Sequence, residues 1–395
     1  MGEFGAVERE KVKHVFIVGS KGIPAAYGGY ETFVDELTAM HETEEKICYH
    51  VACKNAEKEF QRHGARCFPV KVAKIGKAQA VLYDVRALKQ CISYVKEQKI
   101  NSFTVYVLAC RTGWFFKRYA RRVRALGGEI FVNPDGHEWK RKKWSFPVRK
   151  YWKYSEKQAV KYADLVVCDS KNIEKYIQKE YAAYSPRTIF IPYGAQKYGE
   201  PCEKAFKKWA KERDLKAGEY YLVVGRFVPE NNIELILREF MKSGTKKKLA
   251  LITDAGGGFY QALKKRTGFE KDERIVFAGT TYDRDLLREI RKNAFAYIHG
   301  HEVGGTNPSL LEALAATDVN VLLDVCFNRE VGEDGALYFS KEDGSLCSLI
   351  EETETFSLAK RKELGERAKE RIETEYSWEK VAKAYKNLFL RRKRQ

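Results

Sequence analysis

The strongest constraint on the fold is a rhythm that runs through the chain twice. Short, continuously apolar segments of strand length alternate with amphipathic segments of helical length. In the first half, strands are expected at 14–19, 49–52, 102–109, 129–133 and 165–169, with helices at 30–40, 78–95, 113–125 and 147–162. Within 30–40, Phe33, Val34 and Leu37 recur at near-helical spacing. Continuous apolar strands between helices argue for a parallel sheet covered on both faces. A strand ending at Pro192-Tyr193-Gly194 closes this half, and a polar, lysine-rich stretch runs to about Gly218. The rhythm then restarts, with strands at 220–225, 248–253, 274–278, 294–298 and 319–324 and helices at 231–241, 258–266, 283–292 and 308–316. The reading is α/β, two Rossmann-like doubly wound domains facing across a cleft. The expected boundaries are 1–195, 196–375, and a C-terminal helix at 376–395 that returns to the first domain. Doubly wound sheets bind ligands at the carboxyl ends of their strands, so two facing sheets suit a two-substrate reaction.

Composition narrows the class. The chain has 395 residues, 44% of them hydrophobic, enough for sizeable cores rather than disorder. No apolar run reaches the roughly 18 residues that a transmembrane helix needs. The start, Met1-Gly2-Glu3-Phe4-Gly5-Ala6-Val7, lacks the apolar stretch of a signal peptide. Nine cysteines without a C-x-x-C pair read as buried, reduced thiols of a cytoplasmic protein. The seven histidines and the cysteines show no ligand spacing along the chain, so no metal is expected.

The formal net charge is +18, which favours polyanions. Two segments mix cations with large aromatics: Trp114-Phe115-Phe116-Lys117-Arg118-Tyr119-Ala120-Arg121-Arg122, and the run from Lys140 through Arg141, Lys142, Lys143 and Trp144 to Trp152. Such segments suit a bilayer interface, where rings sit at headgroup depth and cations meet anionic lipid. They would also suit single-stranded nucleic acid, where bases stack on rings. A nucleic-acid-binding module explains the charge but not two α/β halves with glycine-rich strand ends.

Four motifs lie at strand ends. The first runs from Gly19 to Gly28-Gly29-Tyr30-Glu31-Thr32 and into a helix; it is either a tight turn or an anion site. It matches neither G-x-G-x-x-G nor the P-loop. The second is His299-Gly300-His301-Glu302-Val303-Gly304-Gly305-Thr306-Asn307-Pro308-Ser309, with Glu312 one turn into the following helix. Thr306 or Asn307 is the N-cap and Pro308 the first helical residue, so amides of 304–307 can face a diphosphate. The third places Arg226 just past a strand, where it can neutralise a diphosphate leaving group. The fourth, Asn133-Pro134-Asp135-Gly136-His137-Glu138-Trp139, gathers titratable groups at another strand end and is itself a turn former.

Taken together, these residues resemble the GT-B glycosyltransferases of the retaining, family-4-like group. More narrowly they resemble bacterial β-1,4-rhamnosyltransferases of capsule and cell-wall polysaccharide assembly. The resemblance spans nearly the whole chain. It implies transfer of L-rhamnose from dTDP-rhamnose to a sugar on a polyprenyl diphosphate, with a UDP- or GDP-hexose as the alternative donor. It further implies a hexosyltransferase that needs no metal or other cofactor, attached peripherally to the inner face of the membrane and not binding nucleic acid. The implied donor set is Gly28, Gly29, Arg226, Asn231, Gly304, Gly305, Thr306, Asn307, Ser309 and Glu312. The implied catalytic candidates are Asp135, His137, Glu138 and Glu302. Trp114, Phe115, Phe116, Lys117, Arg118, Arg141, Lys142, Lys143 and Trp144 are the expected membrane and acceptor residues. Two positions depart from the group: Glu302 and Glu312 stand ten apart, farther than its paired glutamates, and Asn231 replaces a lysine.

Overall fold

The computed structural model describes residues 12–25, 28–54, 56–73, 76–141, 143–195 and 202–391. The first sheet holds β1 (Lys13–Val18), β2 (Ile47–Cys53), β3 (Phe60–Arg62), β4 (Ala65–Pro69), β5 (Phe103–Leu108), β6 (Glu129–Asn133), β7 (Leu165–Cys168) and β8 (Thr188–Phe190). Their order is β3-β4-β2-β1-β5-β6-β7-β8, parallel except for the β3–β4 hairpin. The second sheet holds β9 (Tyr220–Val224), β10 (Lys248–Ile252), β11 (Ile275–Phe277), β12 (Ala296–His299), β13 (Asn320–Leu323) and β14 (Leu337–Phe339), ordered β11-β10-β9-β12-β13-β14. That order is the dinucleotide-type doubly wound topology, whose strand order reverses between β9 and β12. The first sheet reverses likewise between β1 and β5.

Helices α1 (Gly29–Met40), α2 (Gln79–Glu97), α3 (Trp114–Ala125), α4 (Phe146–Tyr162) and α5 (Lys171–Glu180) accompany the first sheet. Accompanying the second are α6 (Glu203–Lys211), α7 (Ile233–Lys242), α8 (Gly257–Thr267), α9 (Arg284–Lys292), α10 (Pro308–Ala316), α11 (Cys326–Gly332) and α12 (Ser345–Glu354). The chain ends in α13 (Leu358–Glu375) and α14 (Trp378–Leu390). Strands β1, β5 and β6 are buried almost throughout, as continuous apolar runs require when helices cover both faces.

Helix α14 crosses from the second half and buries Tyr385 and Phe389 against the first sheet. The Tyr385 hydroxyl meets that of Tyr106 at 2.9 Å. At the crossing, the Ala195 amide donates to the Tyr376 carbonyl at 2.7 Å.

Several elements escape the sequence rhythm, among them β14, α11 and α12 beyond the last expected strand. The β3–β4 hairpin turns on His63 and Gly64, both at positive φ, so a short edge pair follows from a two-residue turn. Helix α6 lies inside the stretch read as polar linker; Phe206, Trp209 and Ala210 give it one buried stripe at helical spacing. Helix α5 follows β7 at once, capped by the Ser170 side chain.

Candidate functional site

Both reversal points open onto one cleft of about 1020 Å³ between the halves. From the first half come the ends of β1 and β5. The Arg111 guanidinium ties them together: it sits 2.9 Å from Asp84 Oδ2 and donates to the carbonyls of Gly19 and Leu108. Asp84 is fully buried, and burial outweighs Arg111 in raising its carboxyl to about 6.

The first glycine loop enters α1 through Gly28 at φ +126°, a conformation that favours glycine. A Cβ there would lie 1.9 Å from Glu31 Oε2, and Glu31 Oε1 accepts from the Lys21 amide at 2.6 Å. The loop is thus folded around its own carboxylate. Gly28 and Gly29 line the cleft. Ala26 and Tyr27 of the same motif lie outside the described residues.

From the second half come the ends of β9 and β12. Arg226 lines the cleft, and among the described residues no carboxylate pairs with it. Asn231 is committed to the scaffold: Nδ2 donates to the Arg226 carbonyl at 2.7 Å, and Oδ1 meets His301 Nδ1 at 2.7 Å. It fixes the arginine's backbone rather than replacing the lysine charge that the resemblance led one to seek there. His299 and His301 are held neutral, at about 3 and about 4; burial is the main cause for each, with nearby Arg141 and Arg226 adding to it at His301.

Helix α10 opens on this side. The Asn307 side chain accepts from the Ser309 amide at 2.9 Å, Pro308 is the first helical residue, and the first turn carries no acid. The Ser309 hydroxyl lies 3.3 Å from both Tyr297 Oη and Arg291. Glu312 is held 2.7 Å from buried Arg291, leaving a half-exposed carboxylate in the cleft.

Glycine packing sets the spacing of the halves. A Cβ on Gly136 would lie 2.2 Å from Gly304 Cα, and one on Gly305 2.1 Å from Asp169 Oδ1. Thr306 is buried, and its hydroxyl donates to the Asp169 carbonyl. Asp169 itself is buried, with Oδ1 unpartnered among the described residues. Burial, and secondly the charge of Asp135, push its carboxyl up to about 8. Glu330 adds a further tie by capping α5 from across the cleft, accepting from the Lys171 amide at 2.6 Å.

The four catalytic candidates do not converge. Asp135 lines the cleft at positive φ, its Oδ1 accepting from the Gly136 amide. His137 turns away and packs on Tyr176, ring centroids 4.2 Å apart, where burial lowers it to about 4. Glu138 borders the cleft but is consumed by Arg141, Lys143 and the Trp144 indole. Glu302 points out of the cleft to Lys341 and Asn232. All four lie past the strand ends in irregular turns, Asp135 and His137 both at positive φ, so the turn rather than the strand alternation sets where each side chain goes.

The aromatic–cation residues also divide. Trp114, Phe115 and Arg118 are exposed, and Lys117 is half-buried with its ammonium 5.3 Å from the Tyr162 ring. Phe116 is fully buried in the core, so it is not a surface residue. Arg141 and Trp144 line the cleft, Lys143 pairs with Glu138, and Lys142 lies outside the described residues. Phe146, inside the second aromatic–cation run, is exposed at the start of α4. Arg111, Asp169 and Arg291 escaped sequence reasoning, being drawn to the cleft from separate elements.

Comparison with known proteins places this geometry. The family described as a domain of unknown function, DUF1972, matches residues 12–196. An uncharacterised glycosyltransferase of Methanocaldococcus jannaschii is 25% identical over 387 residues, 92% of this chain and 95% of that protein. Sucrose-phosphate synthase from Thermosynechococcus elongatus superposes with a TM-score of 0.76 at 16% identity, covering 96% of this chain and 98% of its own. HepE of Anabaena, solved in complex with UDP-glucose, superposes at 0.68 and 12% identity, covering 95% and 98%. The two facing doubly wound domains are the GT-B fold.

Proposed function

We propose that this chain, a glycosyltransferase of the GT-B type that uses a nucleotide sugar, moves L-rhamnose from dTDP-rhamnose to a sugar carried on a polyprenyl diphosphate. Residues 196–375 hold the donor, residues 1–195 the acceptor, and the C-terminal helix joins the two. The observation that carries the reading is the pairing of an unneutralised arginine, Arg226, with a helix start free of acid, both facing one cleft. A guanidinium and a helix N-terminus are what a departing diphosphate requires. Arg291 holds Glu312 where it can accept from a nucleotide's ribose hydroxyls.

Transfer proceeds with retention. The acceptor oxygen bonds to the anomeric carbon on the face the diphosphate leaves, the carbon–phosphate oxygen bond breaks, and a leaving-group oxygen takes the acceptor proton. The protein supplies position and leaving-group stabilisation rather than a base. Asp135 is the one catalytic candidate that lines the cleft without a cation partner among the described residues, so it orients the acceptor. Arg226 and the α10 amides stand where another enzyme would use a divalent metal, and turnover is expected to survive chelator.

The acceptor's lipid is met by Trp114, Phe115 and Phe146, with Arg118 and Lys150 beside them. The Trp114 ring lies 5.4 Å from that of Tyr154, midway along α4, which packs the start of α3 against that helix. Tyr151 of the same helix donates to the carbonyl of cleft residue Arg111 at 2.8 Å, so the patch borders the cleft. No described helix is long and apolar enough to cross a membrane, and peripheral attachment at the inner face fits such a patch. HepE's UDP-glucose makes a UDP-hexose the second donor reading.

A donor-hydrolysis screen across nucleotide sugars tests the donor. Release of dTDP from dTDP-rhamnose is expected, and UDP release alone would shift the assignment to the second reading. Flotation with anionic vesicles tests the patch. Loss of binding in Trp114→Ala/Phe115→Ala is expected; unchanged binding would reject membrane attachment there.

A further inference from the structure

At the amino end of the first sheet, away from the cleft, β1 and β2 bring together three side chains that chain spacing keeps apart. His14 and Cys48 are register partners on adjacent parallel strands, and His50 lies two residues beyond Cys48, hence on the same face. His14 Nδ1 stands 2.9 Å from His50 Nε2, and Cys48 Sγ stands 3.6 Å from that same nitrogen. One ligand atom from each residue falls within 4.8 Å of the other two. A tetrahedral ion bonded to nitrogen at about 2.0–2.1 Å and to sulfur at about 2.3 Å separates its ligands by roughly 3.3–3.6 Å. The Cys48–His50 separation already matches, the His14–His50 pair needs to open by a few tenths of an ångström, and the third pair lies within 4.8 Å.

We propose that His14, Cys48 and His50 form a binding site for a single zinc-class cation, borderline to soft, with its fourth position open to solvent. Two imidazoles and a thiolate select such ions over hard, oxygen-seeking ones. His50 is buried and stacked on Phe16 at 4.3 Å, which fixes its ring. His14 and Cys48 are half-buried, which leaves an entry path. The charged neighbour facing His50 is Arg66, its partner on β4, and this cation is neutralised by a bidentate pair with Glu59 at 2.8 and 2.5 Å. A bound ion would displace the Cys48 proton and clip the first two strands together.

The test uses the full chain stripped with EDTA and titrated with Co²⁺ or Zn²⁺ alone. One Co²⁺ per chain with a thiolate-to-metal charge-transfer band is expected, together with a Zn²⁺-dependent rise in Tm of several degrees. Cys48→Ser should abolish the band, and Cys347→Ser should leave it intact. His14→Asn should weaken binding by more than about tenfold, since losing even an outer partner of a ligand costs about 10–100-fold. His14 and Cys48 are half-buried, so both variants are expected to fold, and sugar transfer is expected to be unchanged in each. No stoichiometric binding, or a band that persists in Cys48→Ser, would overturn the site whatever the chain's donor proves to be.

Discussion

Two glycine-rich loops lead into helices on opposite walls of the cleft, and they look alike in sequence but not in electrostatics. The loop into α1 closes on Glu31, whose carboxylate takes the Lys21 amide and fills the space beside Gly28. The loop into α10 has no acid in its first turn and looks toward Arg226. A helix start is worth about 0.3–1 kcal/mol to an adjacent anion, and a carboxylate already there claims that benefit. Glycines mark where backbone approaches closely; the neighbouring charge decides what approaches.

The sharpest way to break this contrast is Arg226→Ala. Loss of a group aimed at the developing charge should lower kcat by about 10²–10³-fold in a transfer assay. Unchanged turnover would remove the C-terminal loop from the diphosphate.

Gly136→Ala comes next. Its methyl would meet Gly304 backbone rather than a flexible side chain, so the halves must part. A loss of about 1–3 kcal/mol in chemical denaturation is expected, along with a fall in transfer activity, as for overpacked sites. Wild-type stability would show that the halves are looser than this contact implies.

A third test uses Asp169, whose carboxyl is held near 8 against about 3.9 unfolded. The folded state binds the extra proton, so its stabilising share is full below about pH 3.9 and is lost as pH rises toward 8. Asp169→Asn should flatten this decline, by roughly 2–3 kcal/mol between pH 5 and pH 7, read from Tm against pH. Identical slopes in both proteins would mean that Asp169 is ionised and partnered.

The smallest effect belongs to Glu31→Gln. The donor KM should move by less than about threefold, under roughly 0.7 kcal/mol. A tenfold change would transfer diphosphate recognition to the α1 loop and reverse the comparison.

Much of the fold was legible because parallel strands buried on both faces must be continuously apolar. The runs at β1, β5, β6 and β9 met that demand within a residue or two of their observed limits. Short edge elements such as β3 and β14 carry too few apolar positions to stand out. The strand-end motifs located the cleft, and Arg226 and Gly304–Asn307 line it. Motif reading failed at His137 and Glu302, which share those motifs but leave by the other side, and at Phe116, whose helix turns it inward.

Sequence alone determined the two α/β halves, their glycine-rich strand ends and the excess of cations, because periodicity, turn chemistry and charge are local properties. Tertiary structure decided which charges meet. It turned Glu138 to Arg141 and Lys143, Glu312 to Arg291 and His14 to Cys48 and His50, leaving Arg226 unpaired among the described residues. Pairing across strands and between domains depends on register and packing, which residues distant along the chain acquire only once folded.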